Sequence, residues 1–531
     1  MTGAACILAS AAVLVLLLIL PALAQTKGPA TSQGNDAVRS NGPHDRAYPP
    51  RGPRSPKGGG NDGKIGGGGV VNVPIPVAIE GANPASRPAK SGPAQKRSAP
   101  PPRRPAPPPQ SVEKINIPPA TENRFSPDEV VLEFAADQPP QAISGVLQRH
   151  QLIAIETASL ALTDTTFVHA QIGDGRPVAT VLAALANETA LRTAQPNYRY
   201  DLVEQARNTD VEKPSSSSPV SVPDVAAAGP VTAGSDSSPV GGDPMLYAWS
   251  KLRLGEAHRL ARGQAVLVAV IDSGVDTKHP DLAGAIAENF DAIKSPEPPH
   301  THGTAIAGAI AAQSPRMGVA PGAQILAIRA FSGSIGFSFA ILKGIDLAVA
   351  RNARIINMSF AGPLDPATAR QLAAAYDRGL VLVAAAGNLG PLAPPQYPAA
   401  NPNVIAVSAT DSDDKIYSGS NRGTYVALAA PGVDVRLPAP NGLYQVTSGT
   451  SFSAAYVSGV AALVLERKPS FAPDEVLQDL QVSAKDLGPR GKDDQFGAGR
   501  VDAYQALLSL DRQNSAVVSA PSASAPKSKS R

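Results

Sequence analysis

The sequence predicts an α/β protein built on a doubly wound, mostly parallel sheet, which a small α+β sandwich and disordered linkers precede. Three observations predict this fold class. Short, continuous apolar runs alternate with helix-like stretches from about residue 244, two strand-helix repeats occupy about residues 125–205, and the segments between are rich in Pro, Gly and Ser. Such apolar runs are typical of parallel strands that helices cover on both faces.

The main domain is predicted over residues 244–510 from its apolar runs. The runs with the length of buried strands are AVLVAVID, AQILAIRA, ARIINMSF, LVLVAAAGN and NVIAVSAT. Between them, GFSFAILKGIDLAVARN and PATARQLAAAYDRG have helical spacing of their apolar residues. After residue 510 Ser, Ala, Pro and Lys prevail, and we predict a disordered tail over residues 511–531.

A smaller unit is predicted over residues 121–205. EVVLEF and TTFVHAQI have the pattern of strands, PPQAISGVLQRHQL and PVATVLAALANETAL that of helices, and RTAQPNYRYDL closes the unit as an extended run. Two strand-helix repeats in about 80 residues indicate a small α+β sandwich of the split βαβ type.

Two segments have the composition of disordered linkers, residues 25–120 and residues 206–243. Between residues 25 and 110 there are thirteen Lys or Arg and four Asp or Glu, a local charge of 13 − 4 = +9 against +3 for the whole chain. Tyr48 is the only aromatic residue of the first linker, so stacking on bases is not expected and we predict no nucleic-acid partner. The basic linker is either a solubilising spacer or a contact for an anionic surface.

The first 24 residues predict export. Residues 5–24 form an uninterrupted apolar run that ends in Ala-Leu-Ala, as in a secretory signal peptide cleaved after Ala24. No Lys or Arg precedes the run, so an uncleaved membrane anchor is the alternative. We therefore expect an exported protein, secreted or periplasmic, or anchored through this segment. The single cysteine, Cys6, lies in the same run, which excludes a disulfide and a cysteine zinc site.

Three residues stand where a doubly wound sheet places its chemistry. Asp272 ends the run VLVAVID, beyond the carboxyl end of a predicted strand, where such folds bind ligands. His302 opens the helical stretch HGTAIAGAIAA, and Ser451 lies near the start of SGTSFSAAYVSGVAALVLE. The backbone N–H groups of a helix start favour a nearby oxyanion, although a serine there is most often only an N-cap.

The pair His300 and His302 also raises the alternative of a metal site. A zinc site needs a third protein ligand in reach. His279 lies in a predicted loop and His258 in a predicted helix before the sheet, so neither is placed to complete such a site. We therefore assign no metal ligand.

Taken together, these residues resemble the motifs of the subtilisin-like serine proteases, the subtilase or peptidase S8 family. VAVIDSGVDTKHPDL is similar to that family's aspartate motif, HGTAIAG to its histidine motif and GTSFSAAYVSG to its serine motif. The spacings, 302 − 272 = 30 and 451 − 302 = 149 residues, suit a compact member. NMSFAG and AAAGN stand where the family has its substrate-edge strand and its oxyanion asparagine. The resemblance covers about residues 244–510.

The resemblance implies a serine endopeptidase whose triad is Asp272, His302 and Ser451. Ser451 would be the nucleophile, His302 the general base, and Asp272 the carboxylate that orients the base. Asn388 would donate its side-chain amide to the oxyanion. The residues implied in substrate binding are Met358, Ser359, Phe360, Ala361, Gly362, Ala385 and Gly387.

The segments that resemble the walls of the primary specificity pocket carry no Asp or Glu. They are residues 357–362, 383–388 and 397–400. A basic residue before the scissile bond would find no counter-charge there, so we expect cleavage after apolar or aromatic residues.

Residues 121–205 resemble the family's propeptide, a small sandwich that templates the protease and inhibits it. AQPNYRYDL is similar to the closing strand of that domain. We therefore expect a monomeric, self-processing zymogen that is cut between Leu202 and Tyr247, with protein or peptide substrates and its own propeptide as partners. The resemblance requires no cofactor. Many relatives bind calcium, but no calcium ligand can be assigned in this chain.

The sequence departs from the family pattern at three positions. Ala455 and Tyr456 replace a Pro and a His after the nucleophile, and Ala361 replaces a glycine in the substrate-edge motif, which is expected to narrow or re-aim the cleft. The alternative function is a catalytically silent binding or scaffold protein on the same fold, which would not need all four catalytic groups. A related acid peptidase is disfavoured because a histidine, His302, stands at the position of the base.

Overall fold

The computed structural model describes residues 114–203 and 246–518, with side chains to residue 511. All of them belong to one compact unit, Arg97–Arg531. The predicted export segment, most of the basic linker, the whole Ser/Pro-rich linker and residues 519–531 lie outside the described residues.

Residues 114–203, called here the N-terminal sandwich, form a four-stranded sheet with two helices on one face. Its elements in chain order are β1 (Phe125–Ala135), α1 (Pro140–Arg149), β2 (Leu152–Leu160), β3 (Thr165–Ile172), α2 (Val178–Ala184) and β4 (Leu191–Leu202). The strands pair antiparallel in the order β2-β3-β1-β4. This βαββαβ order is the split βαβ arrangement.

The second strand of the sandwich, β2, is absent from the sequence-based prediction. It lies at the sheet edge, and only its end residues Leu152 and Leu160 are buried, while Ile153 and Ile155 are exposed. An edge strand without a continuous buried face lacks the alternation that identifies strands in a sequence.

The first strand, β1, is buried on both faces. Val130, Leu132 and Phe134 pack against the helices of the sandwich. Val131 belongs to a second apolar cluster with Phe339 of the main domain. A sheet with both faces covered explains why EVVLEF contains adjacent apolar residues rather than a strict alternation.

The main domain, residues 246–518, contains the remaining elements. Its strands are β5 (Leu267–Asp272), β6 (Ile286–Asp291), β7 (Gln324–Arg329), β8 (Phe331–Ser332), β9 (Ile335–Phe337), β10 (Ile355–Met358), β11 (Phe360–Ala361), β12 (Val381–Ala385), β13 (Ile405–Thr410), β14 (Val426–Pro431), β15 (Val435–Ala439) and β16 (Leu443–Thr447). Its helices are α3 (Tyr247–Lys251), α4 (Leu254–Ala257), α5 (Thr301–Ala311), α6 (Ser338–Ala350), α7 (Pro366–Asp377), α8 (Thr450–Arg467), α9 (Pro473–Ser483) and α10 (Ala503–Val518).

The central sheet has the strand order β14-β13-β12-β10-β5-β7-β6, and all neighbouring strands in it are parallel. Helices α5, α8 and α10 contribute to the core on one face, and α6 and α7 to the core on the other. The prediction of a doubly wound parallel sheet is therefore confirmed. Helix α10 reaches Val518, beyond residue 511 where the sequence predicts a tail.

Two strands of the central sheet escape the sequence pattern. The edge strand β6 has the sequence IAENFD, whose residues are half-buried or exposed, so it lacks a continuous apolar run. Strand β14, VALAAP, is fully buried but short and alanine-rich. Alanine has low strand propensity, so such a segment does not stand out from its surroundings.

Strand β4 extends the sheet of the sandwich into the main domain. Along its first part it pairs with β1 of the sandwich, and along its last residues it pairs with β9 and β11 of the main domain. The sandwich and the main domain therefore share one backbone strand as well as an apolar interface.

Asp479 in α9 makes the stability of the fold depend on pH. Burial raises the pKa of its carboxyl to about 6, against a smaller opposing effect of the hydrogen bond from Ser509. Because the folded-state pKa lies above the unfolded value, this group contributes most stability below about pH 4, and the contribution is lost as pH rises through about 6.

We expect Asp479→Asn to raise the free energy of unfolding at pH 7 to 8 by at most about 3 kcal/mol, because an amide cannot ionise in this buried site. Thermal unfolding of wild type and variant between pH 4 and pH 8 measures the effect. The two proteins should converge towards pH 4, and a pH-independent difference would contradict the ionisation argument.

Candidate active site

The candidate catalytic residues converge at the carboxyl edge of the central sheet. Asp272 is the last residue of β5, and Asn388 follows β12. His302 and Ser451 lie in the first turns of α5 and α8. Strand ends and helix starts meet at this edge in a doubly wound fold, which makes it the expected place for a site.

Asp272 and His302 form a buried pair. Nδ1 of His302 lies 2.9 Å from Oδ1 and 3.0 Å from Oδ2 of Asp272, and their side chains are 0% and 1% exposed, respectively. Oδ1 of Asp272 also accepts from the backbone N–H of Ser273 at 2.7 Å and from its hydroxyl at 3.0 Å. These contacts orient the carboxylate, which in turn fixes the ring of His302.

The glycine after His302 permits this approach. A Cβ atom at Gly303 would lie 2.1 Å from the carbonyl oxygen of Gly274 and 3.1 Å from Oδ1 of Asp272. Any larger residue would push α5 away from β5. His300 caps the same helix, because its Nδ1 accepts from the backbone N–H of His302 at 3.4 Å. The structure thus gives His300 a capping contact at the start of α5.

Ser451 is buried at the start of α8. Its hydroxyl donates to the carbonyl oxygen of Ser359 at 3.1 Å and makes a short contact with the carbonyl oxygen of Val203. The next residue, Phe452, places its ring 5.6 Å from the ring of His302, between centroids. The nucleophile candidate therefore contacts the carbonyl group of the residue that directly follows β4.

Asn388 contacts the same carbonyl group. Its Nδ2 donates to the carbonyl oxygen of Val203 at 3.1 Å. Its Oδ1 accepts from the backbone N–H of Thr450 at 3.1 Å and from the Thr450 hydroxyl at 3.0 Å. The two Thr450 donors require the oxygen to face α8, so the NH₂ group must face Val203.

The end of β4 lies in the cleft as an extended peptide. Leu202 pairs antiparallel with Phe360, and Asp201 with Ala361. The N–H of Val203 donates to the carbonyl of Ser359 at 3.3 Å. On the opposite side, residues 199–201 pair antiparallel with residues 335–337 of β9. An extended segment between two edge strands is a standard mode of peptide recognition, with backbone hydrogen bonds on both sides.

The residues predicted to bind substrate surround this segment. Ser359, Phe360 and Ala361 hydrogen-bond or pair with it, and Gly362 lies against the ring of Tyr200. Met358 belongs to the apolar cluster that contains Tyr200. The other two predicted residues lie behind the segment. Ala385 shares a core cluster with Val203. Gly387, with φ of +114°, donates its N–H to the Thr450 hydroxyl at 3.2 Å.

The departures from the family pattern leave the site intact. Ala361 pairs with Asp201 inside the cleft, so its methyl group does not exclude an extended peptide. Ala455 and Tyr456 are buried within α8. That Ala361 narrows or re-aims the cleft stays a prediction.

Several interface residues were missed from the sequence. Oδ1 of Asn197 accepts from the backbone N–H of Phe339 at 3.2 Å, and Oε1 of Gln195 from that of Ala367 at 3.0 Å. Both acceptors lie on β4 and satisfy N–H groups at the starts of α6 and α7. Glu133 forms an ion pair with Arg370 across the same interface. Because the partners are distant in the chain, no sequence motif indicates that they are in contact.

Within residues 114–203 and 246–518, no three His, Cys, Asp or Glu side chains come together as a group that could hold a metal ion. The other candidate histidines have backbone partners: Nε2 of His279 lies 3.0 Å from the carbonyl of Leu443, and Nε2 of His258 lies 2.8 Å from that of Val319. No helix in this part of the chain is both long and apolar enough to cross a membrane.

Gly362 provides a test of the cleft. A Cβ atom there would lie 2.4 Å from Cδ1 of Tyr200, so we expect Gly362→Ala to displace the Tyr200 ring and to lower the stability of the uncut chain by about 1–3 kcal/mol. Thermal unfolding in the Ser451→Ala background measures this. Gly255→Ala, whose Cβ would lie 3.5 Å from its nearest neighbour atom, is the matched control. Equal effects of the two changes would show that Tyr200 does not occupy the cleft.

The sequence of this chain is similar to those of known proteins. The model of the subtilase family, Peptidase_S8, matches residues 263–499. Thermitase of Thermoactinomyces vulgaris is 34% identical over 270 residues, which cover 49% of this chain and 95% of thermitase. Subtilisin of Bacillus pumilus is 36% identical over 256 residues, 46% of this chain and 92% of that protein.

Subtilisin E of Bacillus subtilis strain 168 is 37% identical over 256 residues, 46% of this chain and 66% of that protein. Among solved structures, fervidolysin of Fervidobacterium pennivorans, described as a keratinolytic enzyme related to subtilisin, superposes with a TM-score of 0.58 at 23% identity. That similarity covers 72% of this chain and 61% of the other, and it supports the fold. The chain belongs to the subtilase family of serine-type endopeptidases.

Proposed function

We propose that this chain is an exported serine endopeptidase made as a self-processing zymogen, in which Asp272, His302 and Ser451 are the triad. In this proposal the N-terminal sandwich is the inhibitory propeptide. The first bond that the protease cleaves is the peptide bond between Val203 and Glu204. From the sequence, the cleavage site is predicted only to lie between Leu202 and Tyr247, and this proposal assigns it to one bond.

One observation carries the proposal. The carbonyl oxygen of Val203 is contacted both by the hydroxyl of Ser451 and by the side-chain amide of Asn388. A scissile carbonyl group needs a nucleophile beside it and a hydrogen-bond donor to its oxygen. Among the described residues, the Val203 carbonyl is contacted by the candidates for both roles. The preceding residues are held as a strand, which is the conformation that an endopeptidase cleft binds.

The proposed chemistry assigns one role to each of these residues. Ser451 Oγ attacks the carbonyl carbon of Val203 while His302 accepts the hydroxyl proton, and Asp272 stabilises the resulting imidazolium. Asn388 donates to the oxygen as it becomes negative. When the C–N bond breaks, His302 gives the proton to the departing amine, which leaves Val203 as an acyl ester. Water, activated by His302, then releases the new carboxyl group.

The interface explains how the cut propeptide would inhibit. Besides the strand pairing, Val131, Leu160 and Phe167 of the sandwich pack on Phe339 and Leu342 of α6. These contacts do not depend on the covalent link after Val203. The sandwich would therefore stay bound after the cut, with its tail in the cleft.

The proposed substrates are proteins or peptides with an apolar residue before the scissile bond. Val203 is 6% exposed and belongs to a core cluster of apolar side chains. Because no acidic residue lies in the segments that wall this pocket, we expect cleavage after apolar residues to exceed cleavage after Lys or Arg. A peptide-library profile dominated by basic residues would contradict this specificity.

A fluorophosphonate probe tests the function itself. It should label the wild-type fragment that carries Ser451 once the cut sandwich has been removed and should fail to label Ser451→Ala, because only an activated serine reacts. A folded wild-type fragment that resists the probe after the sandwich has been removed would instead support a catalytically silent binding protein on the subtilase fold.

A further inference from the structure

The fourth residue before the proposed cut, Tyr200, is buried in the main domain. Its side chain is 1% exposed. The ring packs edge-on against Phe360, with 5.5 Å between centroids, and lies against Gly362, where a Cβ atom would come 2.4 Å from it. The backbone of Tyr200 pairs with Gly336 of β9. The cleft therefore contains a fitted aromatic pocket at this position.

The end of that pocket is a carboxylate. The hydroxyl of Tyr200 donates to Oδ2 of Asp365 at 3.2 Å, and Asp365 is only 2% exposed. Oδ2 also accepts from the hydroxyls of Ser338 at 2.6 Å and Thr368 at 2.7 Å. Oδ1 accepts from the N–H of Thr368 at 3.0 Å and from Nε2 of Gln195 at 2.7 Å.

These five donors come from two sources. Ser338 and Thr368 belong to the main domain and remain after the propeptide leaves. Tyr200 and Gln195 belong to β4 and leave with it. The free cleft would thus contain an anionic oxygen, already held in place by Ser338 and Thr368, that lacks the donor supplied by the tyrosine.

We propose that Asp365 is a specificity-determining residue that selects tyrosine over phenylalanine at the fourth substrate position before the scissile bond. This inference rests on the proposed function, since it assigns to substrates the place that Tyr200 occupies. The substrate class is an extended protein segment with tyrosine at that position and an apolar residue before the cut.

The physical reason is that tyrosine and phenylalanine differ in the free energy of binding to this pocket. Tyrosine fills it and supplies a hydroxyl to the carboxylate. Phenylalanine excludes water equally well but leaves Oδ2 of Asp365 with only the hydroxyls of Ser338 and Thr368, and the loss of a hydrogen bond to a charged group is costly. Burial, and next the charge of Asp365, raise the pKa of Tyr200 well above its ordinary value, so the hydroxyl remains a donor at any physiological pH.

Matched peptide substrates test this. The mature enzyme from the full-length chain is assayed on acyl-Tyr-Asp-Leu-Val-p-nitroanilide and on the same peptide with Phe in place of Tyr. We expect kcat/KM to favour tyrosine by at least about tenfold, the value of one hydrogen bond to a charged group. In Asp365→Asn, which keeps an N-cap oxygen for Thr368, the preference should fall to about threefold or less.

Asp474→Asn is the control. Asp474 also accepts a tyrosine hydroxyl, that of Tyr376, near the start of a helix, but outside the cleft. Its substitution should leave the tenfold preference unchanged. Equal rates on the two peptides in wild type, or a preference that Asp365→Asn does not reduce, would overturn the proposal.

A second measurement does not depend on catalysis. In the uncut Ser451→Ala chain, Tyr200→Phe and Asp365→Asn are combined in a thermal-unfolding cycle. We expect Tyr200→Phe to lower Tm in the parent background and to lower it much less in the Asp365→Asn background. Additive effects would overturn the proposal. If neither peptide is cleaved, the proposed function fails, and the cycle alone decides whether Asp365 recognises the hydroxyl.

Discussion

Ser451→Ala should keep the full-length chain in one piece, whereas wild-type protein should be cut after Val203. The reason is that the hydroxyl of Ser451 is the nucleophile candidate in contact with the Val203 carbonyl. In subtilisin, loss of the nucleophile lowers kcat on the order of a million-fold. If the same factor applies to this chain, wild-type protein is processed during expression and no processing of Ser451→Ala is detected.

Intact mass and N-terminal sequencing of the purified proteins measure this outcome. The first new N-terminus of wild type should be Glu204, and later trimming would move it further into residues 206–243. Ser453→Ala is the matched control, because Ser453 lies in the same helix and donates to the carbonyls of Ala430 and Pro431, away from the cleft. If purified Ser451→Ala is cut at the same bond and rate, another protease performs the processing.

Asn388→Ala should lower kcat on peptide substrates by about 10²–10³ while KM changes little. This magnitude is carried over from the oxyanion asparagine of subtilisin. The geometry supplies the reason: Nδ2 of Asn388 lies 3.1 Å from the Val203 carbonyl oxygen, which would carry the negative charge during attack. A donor that strengthens only as charge develops affects the rate more than binding.

Steady-state kinetics on one peptide anilide separate kcat from KM. Thr450→Val is an informative companion, because it removes the hydroxyl contact to Oδ1 of Asn388 and leaves the backbone contact of residue 450. We expect its loss of kcat to lie between wild type and Asn388→Ala. A normal kcat in Asn388→Ala would exclude the amide as the oxyanion donor.

The sequence predicted five of the seven strands of the central sheet and proposed the residues of the candidate triad. Runs such as VLVAVID are buried on both faces, so they stand out, and Asp272 follows from the end of that run. His302 and Ser451 could be proposed because each stands in a motif at a helix start. Gly303 explains why the motif is so recognisable, since only glycine fits the 2.1 Å approach to Gly274.

The sequence did not show which residues of the extended run lie in the cleft. RTAQPNYRYDL reads as an extended run, but its partners β9 and β11 are three and two residues long and carry no periodic pattern. Their pairing with β4 joins residues more than a hundred positions apart. Asp365 was missed for a similar reason, because before Pro366 it has the sequence of an ordinary helix cap and only the folded chain brings Tyr200 to it.

Because one strand, β4, runs through both the sandwich and the cleft, the proposed inhibition would be thermodynamically linked to the folding of the sandwich. Only a folded sandwich presents residues 199–203 in register, so the apparent affinity of the inhibitor includes the free energy that folds it. A cavity in the distant core around Val181 and Leu182 would weaken inhibition without touching the protease. In the proposed zymogen, the lifetime of the latent state would thus be set partly by α2, a helix of the sandwich core.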